Sequence, residues 1–135
     1  MSPKTLLDTD TVTALTKRNP GTEARKRRYR RDHARLSVSA YTRFEVERGW
    51  RAIGATAQLS GFRRFCASAE VLPLDDAVLY RAAEIYAHLH RAGNLIIDGD
   101  IPIAATAIVH GLTRATNNTR YFARIDGLIL DNWLC

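Results

Sequence analysis

Short apolar runs that alternate with stretches of helical spacing constrain this chain more than any other feature of its sequence. Thr5-Leu6-Leu7, Leu36-Ser37-Val38-Ser39-Ala40, Val71-Leu72-Pro73-Leu74, Thr113–Thr116 and Gly127-Leu128-Ile129-Leu130 each suit a brief strand. Pro73 fits an edge strand, where a missing N–H does no harm. Between these runs the residues favour helices over Val12–Lys17, Thr22–Arg35, Thr42 to about Gly49, Gln58–Ala67, Asp75–Ala92 and Asp100–His110, with a helical turn over Arg120–Ile125. The clearest is Asp75–Ala92: Val78, Ala82, Ile85 and Leu89 share one face, and Gly93 stops it. Strands alternating with helices imply βαβ units, and so an α/β fold with a parallel sheet covered by helices on both faces. The 135 residues fit one domain, 1–135, with room for a real core.

Composition narrows the chemistry. A net charge of +6 suggests a polyanionic partner. The most basic segment holds Arg25, Lys26, Arg27, Arg28, Arg30, Arg31 and Arg35 against Glu23 and Asp32. It reads equally as a solvated helix face and as a surface for RNA or an acidic partner. Cys66 and Cys135 form no CxxC pair, which argues against a zinc cluster and a disulfide framework and favours a reducing cytoplasm. The N-terminus reaches Asp8 before any signal-peptide core could form, and no run nears the roughly eighteen apolar residues of a membrane span. His33, His88, His90 and His110 show no metal spacing, and Ser37 and Ser39 no triad context.

The acids carry the sharper signal. In a parallel α/β sheet, ligands bind outside the carboxyl ends of the strands. Asp8 closes the first apolar run. It could be a turn or cap residue, but Asp10 is the better cap for a helix from Val12 and leaves Asp8 free. Glu45 completes a Thr42-x-x-Glu45 capping box, yet its helix follows the second run, so it also falls at the carboxyl edge. Asp100 is placed as the N-cap of a helix that begins Ile101-Pro102. Asp98, two residues earlier, faces either the same cleft or solvent. Asp8, Glu45 and Asp100 can thus converge. Clustered carboxylates repel unless a cation joins them, and a hard ion such as Mg2+ or Mn2+ takes oxygen ligands while keeping several waters. A metal-activated water can attack a phosphodiester, with a basic rim holding the nucleic-acid backbone.

The order and spacing of LLDTD at Leu6–Asp10, SVSAYTRFEVERG at Ser37–Gly49, LPLD at Leu72–Asp75, DGDIPIAATAIVHGL at Asp98–Leu112 and TNNTRYFARIDGLILDNW at Thr116–Trp133 are familiar. Over nearly its whole length the chain resembles the PIN-domain ribonuclease toxins of VapBC-type toxin–antitoxin modules. The resemblance implies a three-layer α/β/α sandwich with a central parallel sheet of about five strands. It implies Mg2+- or Mn2+-dependent RNA cleavage, with Asp8 and Asp100 as principal metal ligands and Glu45 acting directly or through water. It implies a small cognate antitoxin that blocks the groove, and a homodimer. The region of Trp50, Phe62 and Phe65 could serve an interface, although core packing is the simpler reading.

Two departures stand out. Tyr121 occupies the place where similar toxins often carry a fourth acid, and Asn117 the place of a common Arg. Asp98, Thr116 and Asn118 are then the expected supporting groups, and activity could rest on one metal. The alternative to an enzyme is a catalytically weak or inactive RNA- or protein-binding module on the same fold. Arg25, Lys26, Arg27, Arg28, Arg30 and Arg31 are expected to border the groove and contact RNA phosphates or antitoxin acids.

Overall fold

The computed structural model describes residues 1–94 and 99–134, with the side chains of Arg120 and Tyr121 left aside. Asp98 and Cys135 therefore lie outside the described residues, as does the Tyr121 side chain. Five strands, β1 (Thr5–Leu7), β2 (Ser37–Ser39), β3 (Glu70–Leu72), β4 (Thr113–Ala115) and β5 (Leu130–Asp131), pair in parallel in the order β3-β2-β1-β4-β5. β1, β2 and β4 are buried throughout, as inner strands covered on both faces must be. β3 is only half-buried and lies at an edge, with Pro73 just beyond its last residue.

Side chains alternate between the two faces. Val71, Val38, Leu7 and Ala115 line up across the registered strands, and they pack with α1 (Thr9–Thr16), α2 (Pro20–Tyr29), α3 (Ala40–Ala52) and α4 (Thr56–Ser68) through Val12, Leu15, Tyr29, Val46 and Phe62. Leu6 faces the other way, toward Ile103 and Ala107 of α6 (Asp100–Val109). There α6 packs against α5 (Asp76–Arg91), and Phe122 of the short α7 (Thr119–Phe122) completes the cluster. The result is the expected α/β/α sandwich. Phe62 is buried, and Trp50 and Phe65 pack beside it, so that region serves the core.

Several element ends differ from those the sequence suggests. α1 begins at Thr9 instead of Val12, because Asp8 caps it. α2 spans Pro20–Tyr29, with Asn19 accepting from the Thr22 N–H, and stops well short of Arg35. The residues beyond are tied to the N-terminus: Asp32 accepts from the Ser2 N–H, His33 Nε2 bonds the Ser2 carbonyl, and the Tyr29 hydroxyl accepts from the Thr5 N–H. α3 begins at Ala40, capped by Ser39. β5 starts three residues after Gly127, where the Arg114 N–H donates to the Ile129 carbonyl and the Thr116 N–H to Asp131.

Candidate active site

Asp8 leaves the carboxyl end of β1 and is almost fully buried. One carboxylate oxygen accepts from both the backbone N–H and the hydroxyl of Thr11, each at 3.0 Å. Asp8, not Asp10, is thus the N-cap of α1, and the capping and cleft roles that the sequence sets apart fall on one residue. Its other oxygen, Oδ2, faces the cleft and lies 3.6 Å from Arg114 Nη2. Asp10 sits in the first turn at the mouth. Loss of surrounding water and the Asp8 charge push its pKa up, against the pull of Arg114.

Glu45 comes from the second turn of α3. The Thr42–Glu45 capping box does not form, because the Ser39 hydroxyl caps that helix by accepting from the Tyr41 N–H. Glu45 is instead held by the Thr9 hydroxyl, which donates to Oε1 at 2.7 Å. Arg48 lies 3.8 Å from Oε2 on the outer side.

Asp100 is the first helical residue of α6, and Gly99 takes the cap position with no side-chain bond. Glycine has a spatial reason there: a Cβ would meet the Tyr41 ring at 3.0 Å and Glu45 Oε2 at 3.3 Å. Glu45 therefore lies directly against the start of α6. A carboxylate in a first helical turn is favoured by the helix dipole, but burial pushes the Asp100 pKa up. Arg114 opposes that shift, while Glu45 and Asp8 add to it.

Arg114 is the residue that sequence reasoning missed. It pairs in register with Leu6 on one side and Leu130 on the other, so a charged side chain stands between two apolar neighbours. Its side chain is 1% exposed. Nη2 lies 3.6 Å from Asp8 Oδ2 and 3.5 Å from Asp100 Oδ1, and Nη1 donates to the Asp100 carbonyl at 3.0 Å. Its guanidinium carbon sits 3.8 Å from the centre of the Phe122 ring, and Nε is buried without a hydrogen-bond partner. Burial pulls the guanidinium down from its ordinary value, and the two carboxylates hold it up. The available signal was a lone charge within a strand run, since such a residue is rarely buried unless paired.

These residues line a cleft of about 360 Å³ with Thr9, Asp10, Ile103, Asn118 and Phe122. Thr116, buried at the end of β4, turns its hydroxyl to accept from the Asn118 N–H at 3.2 Å, which sets the path of the loop. None of Arg25, Lys26, Arg27, Arg28, Arg30 and Arg31 lines this cleft among the described residues. Arg25 is bonded to the Asp131 carboxylate and the Asn132 carbonyl and lies against Trp133, which corrects its expected place on the rim. Lys26 lines a separate depression between α1, α2 and α4, and Arg27, Arg28, Arg30 and Arg31 are exposed. Cys66 is half-buried, and its thiol pKa is pushed up by burial, which suits no nucleophile.

Among the described residues, no three carboxylates, thiols or imidazoles form a ready-made metal cage. A hard ion that keeps its water asks for less: one or two carboxylates and an open oxygen-rich cleft. Asp8 and Asp100 reach one nitrogen from two sides, Glu45 stands beside them, and no soft ligand intrudes. The donor set therefore fits Mg2+ or Mn2+.

A family model described as the PIN domain matches residues 5–128. The tRNA(fMet)-specific endonuclease VapC of Salmonella typhimurium is 30% identical over 131 residues, covering 96% of this chain and 98% of that relative. Ribonuclease VapC2 of Haemophilus influenzae is 30% identical over 132 residues, covering 97% and 98%. Among solved structures, DNA-bound VapBC from Salmonella typhimurium matches with a TM-score of 0.86 at 30% identity, over 98% of this chain and 99% of that one. VapBC2 from Rickettsia felis, bound to a promoter DNA fragment, matches with a TM-score of 0.88 at 23% identity, over 96% and 98%, a likeness of fold.

Proposed function

This chain belongs to the PIN-domain family, in its VapC-type branch, and on that premise we propose that it is a divalent-metal-dependent endoribonuclease, the toxin of a toxin–antitoxin pair. The observation that carries the reading is the meeting of Asp8 and Asp100, ninety-two positions apart, at one carboxyl-edge cleft with Glu45 beside them. Asp8 and Asp100 would hold Mg2+ or Mn2+, with Glu45 reaching it directly or through water. When bound, the ion supplies positive charge toward a phosphodiester and acidifies water.

The chain's own residues do the rest. Thr9 fixes Glu45, so that this carboxylate is oriented to accept a proton from an attacking water at Oε2. The cap bonds from Thr11 hold Asp8 in one rotamer. Asn118 lines the edge of the cleft, where the RNA backbone would pass. The exposed Arg27, Arg28, Arg30 and Arg31 supply a second, more distant contact to RNA phosphates or to an acidic antitoxin. Transfer RNA is the first substrate class to test, since the Salmonella relative is named for it. The named VapBC complexes support a small protein antitoxin as partner. We place the chain in the cytoplasm, as a homodimer. None of its described helices is long and apolar enough to cross a membrane.

The test uses purified, antitoxin-free protein incubated with total RNA in Mg2+ or Mn2+ and then in EDTA, with Asp100→Asn prepared in parallel. Discrete fragments that need the ion and vanish in the variant are expected. Cleavage at full rate by Asp100→Asn would remove Asp100 from the site. A second reading, a module that binds RNA or protein without cutting it, is favoured by one observation: Asp8 and Asp100 are already paired to Arg114. It predicts RNA binding that is indifferent to chelation.

A further inference from the structure

Among the described residues that line the cleft, four carboxylates, Asp8, Asp10, Glu45 and Asp100, stand with one cation, Arg114, while Arg48 approaches Glu45 from outside. Arg114 is unlike a surface arginine that happens to lie near acids. Its two registered neighbours in the sheet, Leu6 and Leu130, are both apolar. It is sealed by the Phe122 ring, tethered to the Asp100 carbonyl, and carries a buried Nε without a partner. A guanidinium does not lose its proton in a protein, and one so enclosed cannot swing out to solvent without breaking those contacts. Its charge is therefore a permanent part of the cleft, placed between the two carboxylates that would draw a metal most strongly.

We propose that the Arg114 guanidinium is a built-in cation of the acidic cleft, which limits the cleft to one divalent ion and makes that ion's binding weaker than the acids alone would give. The charges set the limit. Summed over the described lining residues, four carboxylates, one guanidinium and a single divalent ion leave one net negative charge, and a second ion would invert the sign. The proposal rests on reading the cleft as a metal site. It makes Arg114 a positioning residue that acts through Asp8 and Asp100.

The test is Mn2+ binding to the full chain, with free Mn2+ counted by electron paramagnetic resonance and no RNA present. Arg114→Leu matches its registered neighbours Leu6 and Leu130, and Arg114→Gln keeps a polar head for the Asp100 carbonyl should the leucine variant fail to fold; circular dichroism reports folding for each. Arg114→Lys keeps the charge. The neutral variants are expected to bind Mn2+ at least about tenfold more tightly, about 1.4 kcal/mol, and to admit a second ion. Arg114→Lys should stay near the parent. The gain should disappear when Asp100→Asn is added.

Equal affinity and stoichiometry in the parent and the neutral variants would overturn the proposal while leaving the metal cleft standing. So would a gain in Arg114→Lys as large as in Arg114→Leu, or a gain that survives Asp100→Asn. Failure of every form to bind would overturn the proposal and the metal-dependent reading together. Binding by the neutral variants but not by the parent would support the built-in cation and count against metal-dependent cleavage.

Discussion

Asp8 does two things at once. One oxygen closes the first turn of α1 through Thr11, and the other faces Arg114 and the cleft. Asn caps a helix about as well as Asp, whereas Ala does not, at a typical difference of about 1 kcal/mol. Asp8→Asn and Asp8→Ala should therefore both abolish RNA cleavage, yet Asp8→Ala should unfold about 1 kcal/mol more easily in urea. Equal stabilities would mean that the cap bond contributes nothing. The acids were legible in the sequence because each interrupts or follows an apolar run. Their caps were not, since Asp8, Asp10, Ser39, Thr42 and Asp100 are all plausible caps and only the chain path chooses. Arg114 was harder still. It is one of twenty basic residues, and its strand is three residues long, too short for its alternation to mark it as inward-facing.

Among the elements, the edge strand β3 is only half-buried, and its hold on the sheet is partly ionic. Glu70 accepts from the Ser37 hydroxyl at 3.1 Å and lies 3.1 Å from Lys4 Nζ, with Arg35 at 3.9 Å. The Lys4 bond, then the Ser37 bond and the two positive charges, hold the Glu70 carboxyl below its usual range despite some burial. A folded pKa below the unfolded one gives stability that is present above the ordinary glutamate value, near 4.5, and lost as pH falls through the depressed value. Urea midpoints from pH 7 to 3 should thus show the parent above Glu70→Gln at neutral pH, with the gap closing in acid. A gap independent of pH would assign the effect to packing. The strand order itself could not be read from the sequence, because runs of three residues carry no register information. The helices could, since α5 repeats its apolar face from Val78 to Leu89, over about three turns.

Over the whole molecule, charge is divided. The net charge is +6, yet the cleft is acidic. A polyanion is drawn to the protein at large and repelled by its acidic cleft. RNA affinity should fall steeply with salt. Arg30→Glu with Arg31→Glu should weaken binding and flatten the slope of log K against log salt by about one to two. An unchanged slope, together with unchanged antitoxin binding, would return that segment to a solvated face.

The sheet order also governs when the protein becomes what it is. β1 is made first, but it lies at the centre and pairs with β2 and β4, with Leu7 in register with Ala115 more than a hundred residues later. Asp8 therefore leaves the ribosome long before the strand and helix that complete its cleft exist. A nascent chain that stops short of β4 has neither the central pairing nor Arg114 opposite its acids. Such contacts, remote in sequence, form late and slowly. A chain still under synthesis thus lacks the finished cleft until β4 has emerged, so the fold itself delays any activity to the end of translation.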